Sequence, residues 1–192
     1  MLTKEQILNI FYQTGALMEG HFRLTSGRHS DQYVQCARVL QYPDHTSLFC
    51  REIMQDFLDQ GIEAVVGPAM GGIVLAYEAA RQLGARALFS ERENGIMTLR
   101  RGFSLEPGQK AVVVEDVITT GGSVQEVVQM LQSLGVQVAG IACLVKRTRK
   151  ELDLGAPLRA LLTVEIKSYP PEQCPLCQEG LALTKPGSRK VQ

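Results

Sequence analysis

The chain has 192 residues, 45% of them hydrophobic and 21% charged, and its 20 basic side chains balance 20 acidic ones. That size supports one sizeable core, and the mixture is that of a soluble globular domain, not a disordered or fibrous chain. A formal net charge of zero supplies no whole-molecule field for nucleic acid or a membrane surface, so any polyanionic ligand must meet local basic clusters.

In chain order, Met1-Leu2-Thr3-Lys4-Glu5 leads straight into an amphipathic helix with no targeting peptide. Thr3 and Gln6 make a capping box for that helix, which reaches about Gln13 and stops at Gly15. Residues His21 to Cys36 read as extended or hairpin structure around Ser26-Gly27-Arg28. Pro43 and Asp44 open a helix through Ile53, Phe57 and Leu58, closed by Gly61. The short strand Ala64-Val65-Val66 runs into Gly67-Pro68-Ala69-Met70-Gly71-Gly72, and a helix continues to Leu83. The whole apolar stretch from Ala64 to Tyr77 is too short and too rich in glycine to span a bilayer, so a cytoplasmic location is expected. A strand over Ala85 to Phe89 follows.

Next come the β-branched run Val112-Val113-Val114, the adjacent carboxylates Glu115-Asp116, and a loop of small and hydroxyl residues. A helix opens near Ser123 and runs through Val127, Val128 and Leu131. Strands are expected from Val136 to Val145 and near Leu161 to Ile166. Strands separated by helices predict an α/β fold, a central parallel sheet flanked by helices, with ligands at the carboxyl ends of the strands.

The loop after the acids aims backbone N–H groups and a helix N-terminus at one point, which suits a phosphate monoester. The carboxylates beside it suit ribose hydroxyls or a Mg²⁺ ion. Phosphate at one end and acid beside it describe a site for a ribose 5-phosphate. A Walker A loop would need a Gly-Lys-Ser/Thr ending and a dinucleotide fingerprint three spaced glycines, and this loop has neither. Gly67 to Gly72 lacks bulky groups, so its backbone can wrap a pyrophosphate or let a helix pack closely on the sheet.

Five cysteines do not make a disulfide framework in a chain of this size. Cys36, Cys50 and Cys143 fall on predicted strand or helix faces as buried thiols. Cys174-Pro175-Leu176-Cys177 is a CxxC in a Pro-rich tail: a structural turn, a redox-sensitive disulfide pair, or half of a metal site. A structural zinc site wants four ligands, and no second CxxC is present, so the metal reading requires two knuckles meeting across a dimer.

The order of apolar strand, Glu115-Asp116 and Thr/Gly-rich loop resembles the phosphoribosyl pyrophosphate (PRPP) signature of the type I phosphoribosyltransferases. The resemblance implies their fold, in one compact domain: an N-terminal helix and hood (1–40), a PRPP-binding α/β core (41–168) and a C-terminal tail with the CxxC (169–192). It implies Glu115 and Asp116 as catalytic residues and Val117, Ile118, Thr119, Thr120, Gly121, Gly122 and Ser123 as the 5-phosphate loop. Ala69, Met70, Gly71 and Gly72 become the pyrophosphate loop, with a non-proline cis peptide at Ala69–Met70; many relatives carry lysine where this chain has Gly71. Ser90-Glu91-Arg92-Glu93-Asn94-Gly95, with Arg100 and Arg101, takes the position of the family's mobile catalytic loop. Arg92 is the candidate for a catalytic pyrophosphate contact in trans, which implies a homodimer; Mg²⁺ is the implied cofactor, held mainly by PRPP.

Phe22-Arg23-Leu24-Thr25-Ser26-Gly27-Arg28-His29-Ser30 resembles the hood segment of the orotate phosphoribosyltransferases. The short catalytic loop, the loop from Gly67 to Gly72 and the tail ending Lys185-Pro186-Gly187-Ser188-Arg189 resemble the Thermus-type branch of that family. Arg147, at a strand end, then becomes the clamp for the orotate carboxylate, because a planar guanidinium fork matches a carboxylate. Thr119 becomes a hydroxyl contact to the base and Tyr33 a cover for its face, while His29 takes no role. The implied function is transfer of ribose 5-phosphate from PRPP to orotate in pyrimidine (UMP) biosynthesis, with small-molecule substrates and neither nucleic acid nor membrane as partner. The alternatives are a purine phosphoribosyltransferase, which needs no carboxylate clamp, and a non-catalytic PRPP-sensing regulator.

Overall fold

The computed structural model describes residues 1–186. The last three residues of the tail segment quoted above, Gly187, Ser188 and Arg189, lie outside the described residues.

Helix α1 spans Lys4–Gln13, and its capping box forms as expected: the Thr3 hydroxyl accepts from Gln6 N at 3.2 Å and the Gln6 side chain accepts from Thr3 N at 2.9 Å. The hood is a two-stranded antiparallel sheet, β1 (Leu17–Arg23) and β2 (His29–Val34). A four-residue helix α2 (Ala37–Leu40) leads to α3 (Pro43–Met54), which opens on Pro43 and tightens into a 3₁₀ turn at Gln55–Phe57. The core alternates β3 (Ala64–Pro68), α4 (Gly71–Leu83), β4 (Arg86–Glu93), β5 (Ile96–Leu99), β6 (Lys110–Ile118), α5 (Gly122–Ser133), β7 (Gln137–Lys146) and β8 (Leu158–Thr163). A four-residue helix α6 (Pro175–Gln178) lies in the tail.

The main sheet has six strands in the order β5-β4-β3-β6-β7-β8, parallel except for the edge strand β5. Strand alternation divides the core between its faces. Val65, Val112 and Val114 pack with Phe49, Ile53 and Leu75 of α3 and α4. Val66, Val113 and Ile141 pack on the other side with Val124, Val127, Val128 and Leu131 of α5. Both faces being covered explains why these strands read as nearly continuous apolar runs.

Residues 90–95, expected as a loop, instead form the end of β4 and a tight turn into β5, with Arg92 opposite Met97. Asn94 (φ 52°) and Gly95 (φ 84°) supply the two left-handed residues that a two-residue hairpin turn requires. The tail does not trail from the core. Tyr169 and His29 exchange backbone hydrogen bonds at 2.8 and 2.9 Å, and Thr184 bonds to both His21 and Arg23 at 2.8 Å, so the segment between folds over the hood.

Candidate active site

Strand order positions the site. The chain leaves β3 through α4 toward β4 on one side, and leaves β6 through α5 toward β7 on the other. The carboxyl ends of neighbouring β3 and β6 therefore diverge into helices on opposite faces, and the crevice between them is where an open α/β sheet takes a ligand. A cavity of about 870 Å³ lies there, lined by Pro68 to Gly71 from β3, Ser90 to Arg92 from β4, and Glu115 to Val117 from β6. The hood closes it with Arg23, Thr25, Tyr33 and Gln35, and the tail with Lys185 and Pro186. A second cavity of about 320 Å³ is lined by Glu115, residues 117–124, Arg92 and Glu126. Glu115, Val117, Ser123 and Arg92 border both, so the two form one elongated site.

The smaller cavity is the N-terminus of α5. Gly121 caps it at φ 84°, and a Cβ there would run into Leu154. Only glycine satisfies both the left-handed turn and that close packing. The turn lets the chain from Thr119 to Ser123 wrap the helix end, where unpaired N–H groups and the helix dipole favour an anion.

At the larger cavity, the loop after β3 shows the close helix–sheet packing expected for it. Gly67 and Gly72 pack backbone to backbone, since a Cβ on Gly72 would sit 2.9 Å from Gly67 Cα. That contact brings the start of α4 down onto the strand. The Ala69–Met70 bond is cis, as the resemblance implies. Gly71 faces the acids: a Cβ there would lie 2.7 Å from the Asp116 carboxylate. The absence of a lysine at this position thus has a local steric correlate.

The acids are half-buried and unequal. Glu115 Oε1 accepts from Asp116 N at 3.1 Å, and Asp116 Oδ1 accepts from Val117 N at 2.8 Å. Burial first, and the adjacent Asp116 charge second, push the Glu115 carboxyl well above the usual carboxylate range. Beneath it, burial and the nearby acids raise the thiols of Cys36 and Cys143, which are inert packing groups as expected.

Three arginines of the β4–β5 hairpin are engaged within their own chain. Arg92 makes a bidentate pair with Glu126 at 2.9 and 3.0 Å and reaches Ser123 at 3.4 Å, beside the N-terminus of α5. Arg100 pairs with Glu93 and Arg101 with Glu91, and neither lines either of the two cavities described above. Of the three, only Arg92 stands at the site.

Arg147 follows β7, where its N–H donates to Ile118 O at 2.8 Å. Its side chain is half-buried, and its buried Nε has no hydrogen-bond partner among the described residues. Burial lowers the guanidinium pKa, with only the nearby Tyr33 opposing. A guanidinium partly withdrawn from water, with no carboxylate paired to it among the described residues, is an environment that suits an anion. Arg147 is not among the residues lining either cavity; Tyr33, its neighbour, lines the larger one. Thr119 lines the smaller cavity, at the N-terminus of α5, and not the one bordered by Tyr33.

Sequence reasoning did not single out Arg23, Gln35 or Lys185 for the site. Gln35 follows Tyr33 by two residues, so strand alternation was the available signal for it. Arg23 and Lys185 meet at the cavity through the Arg23 N to Thr184 O bond, a long-range pairing with no local signature. Ser90 Oγ is also sealed in the wall of the larger cavity without a hydrogen-bond partner among the described residues.

Comparison with known proteins agrees with this geometry. The phosphoribosyl transferase domain model matches residues 46–169. Orotate phosphoribosyltransferase from Pelotomaculum thermopropionicum is 58% identical over 99% of this chain and 100% of its own. That from Desulforamulus reducens is 55% identical over the same shares. Among solved structures, orotate phosphoribosyltransferase from Aeropyrum pernix superposes with a TM-score of 0.71 at 26% identity, covering 83% of this chain and 94% of that one. Adenine phosphoribosyltransferase from Rhodothermus marinus shares the fold, with a TM-score of 0.67 at 23% identity over 84% of this chain and 100% of that one. With full-length relatives above half identity and a crevice built from the glycine-turned N-terminus of α5, the acid pair and the cis-peptide loop, the chain belongs to the orotate phosphoribosyltransferase family.

Proposed function

We propose that the protein transfers ribose 5-phosphate from PRPP to orotate, giving orotidine 5′-monophosphate and pyrophosphate in de novo pyrimidine synthesis. The observation that carries the orotate assignment is Arg147, whose buried Nε lacks a partner among the described residues. Orotate is a nucleobase with a carboxylate, and a guanidinium fork binds that group through two charge-assisted bonds.

In this reading Val117 to Ser123 anchor the 5-phosphate, and that remote binding energy positions the anomeric carbon. Asp116 and Glu115 hold the ribose hydroxyls below the same carbon. Ala69 to Gly72 and Arg92 receive the pyrophosphate. Arg92 is the cation already beside the cradle, and its present partner Glu126 would yield it to a stronger anion. Orotate N1 bonds to the anomeric carbon as the C–O bond to pyrophosphate breaks, the leaving group taking the electron pair. Positive charge builds on the ribose in between, and the acid pair beside it stabilises that charge. The N1–H bond breaks as well, its proton passing to water or to an oxygen of the departing pyrophosphate, so the chain need not supply a strong general base.

The oxygen donors of Glu115 and Asp116 beside an anion cradle suit a hard divalent cation, and Mg²⁺ held mainly by PRPP fits them. When bound, Mg²⁺ neutralises charge on the departing pyrophosphate. We also place the active form as a homodimer. Met70, Val74 and Tyr77 stand at i, i+4 and i+7 along α4 with 82%, 48% and 69% exposure, an apolar stripe beside the cavity that a second copy would cover. Among the described residues no helix is long and apolar enough to cross a membrane, and we place the activity in the cytoplasm.

The test is loss of orotate absorbance on mixing protein, orotate, PRPP and Mg²⁺, omitting each in turn. Loss that needs all components and releases pyrophosphate establishes the reaction. Turnover of guanine or adenine without orotate would transfer the assignment to a purine enzyme, and PRPP binding without turnover of any base would favour the regulator.

A further inference from the structure

The tail CxxC has found ligands that sequence spacing concealed. Cys174 and Cys177 lie against His21 of β1 and His29, the first residue of β2. His21, His29 and Cys174 are buried, at 4%, 6% and 0% exposure. The sequence expectation that a metal would need a second knuckle from another subunit, and that His29 has no role, missed this grouping. Two histidines 153 and 148 residues from the cysteines they meet leave no motif spacing to read.

We propose that His21, His29, Cys174 and Cys177 form a structural zinc site that fastens the tail to the hood, outside the catalytic crevice. Four of the six separations lie within about 0.4 Å of a coordination tetrahedron. Ideal Zn–N and Zn–S bonds place ligand atoms apart by about 3.3 Å (N–N), about 3.6 Å (N–S) and about 3.8 Å (S–S). His21 Nε2 lies 3.0 Å from His29 Nδ1 and 3.6 Å from each sulfur, and Cys177 Sγ lies 3.2 Å from His29 Nδ1. All four ligand atoms lie within 4.8 Å of one another.

The proton of His21 is also assigned. Its Nδ1 is 2.8 Å from the Leu181 carbonyl, which can only accept, so Nδ1 carries the proton and Nε2 presents a lone pair to the other three atoms. A ligating histidine whose second nitrogen donates to a backbone carbonyl is the usual outer-shell arrangement of zinc sites. Cys174 caps α6 at its N-terminus, and the turn Pro175–Gln178 brings Cys177 back beside it, as a zinc knuckle requires. Two nitrogens and two thiolates in a closed tetrahedron select zinc over the hard cations that the carboxylate end of the molecule would take. The site lies between the two backbone pairings of the tail with the hood, at Tyr169 and Thr184. It therefore holds in place the segment whose next residues, Lys185 and Pro186, line the crevice.

The test is the metal content of the full chain, made without a histidine tag, by elemental mass spectrometry after zinc loading and exhaustive dialysis. One zinc per chain is expected, with Co²⁺ replacement giving the intense visible bands of a tetrahedral thiolate site. The double variant Cys174→Ser, Cys177→Ser should retain no zinc and show no such bands. Zinc well below a tenth of an equivalent in the loaded wild type, or an intact mass two hydrogens short with a Cys174–Cys177 disulfide, overturns the proposal. Should the double variant not fold, wild-type stoichiometry and the Co²⁺ spectrum decide the matter between them.

Discussion

Replacing Arg147 with alanine isolates the base-recognition step. The guanidinium is half-buried, its Nε is unpartnered, and it forms no ion pair among the described residues, so truncation breaks no internal pair. What it removes is a binding contribution. A hydrogen bond to a charged group contributes about 1.5–3 kcal/mol, and a fork offers two, partly offset by the carboxylate's lost hydration. A net loss of about 3 kcal/mol corresponds to roughly 150-fold weaker orotate binding. Steady-state kinetics at saturating PRPP should show the Michaelis constant for orotate rising by about that factor, with turnover changed far less and PRPP affinity retained. Lysine at this position should recover little, because a point charge cannot replace the fork. Melting temperature should hold or rise, since an unpaired buried charge is removed. An orotate Michaelis constant equal to wild type would take the base clamp away from Arg147.

Asp116→Asn should reduce turnover by on the order of 100-fold, more than Arg147→Ala does, because it removes charge where the cation develops; equal turnover losses in the two variants would contradict this. Gly71→Ala places a methyl 2.7 Å from the Asp116 carboxylate, so turnover should fall by roughly 10-fold or more through displacement of that group, and unchanged turnover would refute the coupling. Glu115→Gln tests the buried proton through stability. The folded-state pKa of Glu115 is raised, so its contribution is fully present below the unfolded value of about 4.3 and is lost as pH rises through the folded pKa. The melting temperature of Glu115→Gln relative to wild type should thus increase with pH above that value and then level off, and a difference independent of pH would show that Glu115 is ionised in the native protein.

Legibility in the sequence followed the range of the interaction. The Thr3–Gln6 capping box, the valine run of β6 and the glycine turn into α5 are local devices, and each stands where its spacing indicated. The hairpin at Asn94-Gly95 was equally local, but charged residues at 91–93 and 100–101 masked its alternation and gave it the look of a loop. Arg23 and Lys185 became neighbours only through backbone pairing of the tail with the hood, and no periodicity within either segment encodes that meeting. The cysteine pair was visible as a motif, whereas its histidines were not, since their approach depends on where β1 and β2 stand against the tail.

Gly71 leaves the crevice without a lysine from the β3 loop, and a cation stands instead at Lys185, on the tail segment paired with the hood. Charge that enters from a docked strap differs from charge fixed on a core helix, because it is present only while the strap is docked. An anionic ligand touching Lys185 consequently binds the docked form better than the undocked one, and by linkage its occupancy favours docking by at most RT ln(1 + [L]/Kd), the limit reached when the undocked form does not bind it. Hydrogen exchange of the Thr184 and Arg23 amides should accordingly slow as PRPP saturates the crevice, so that substrate occupancy and closure of the tail follow a single equilibrium.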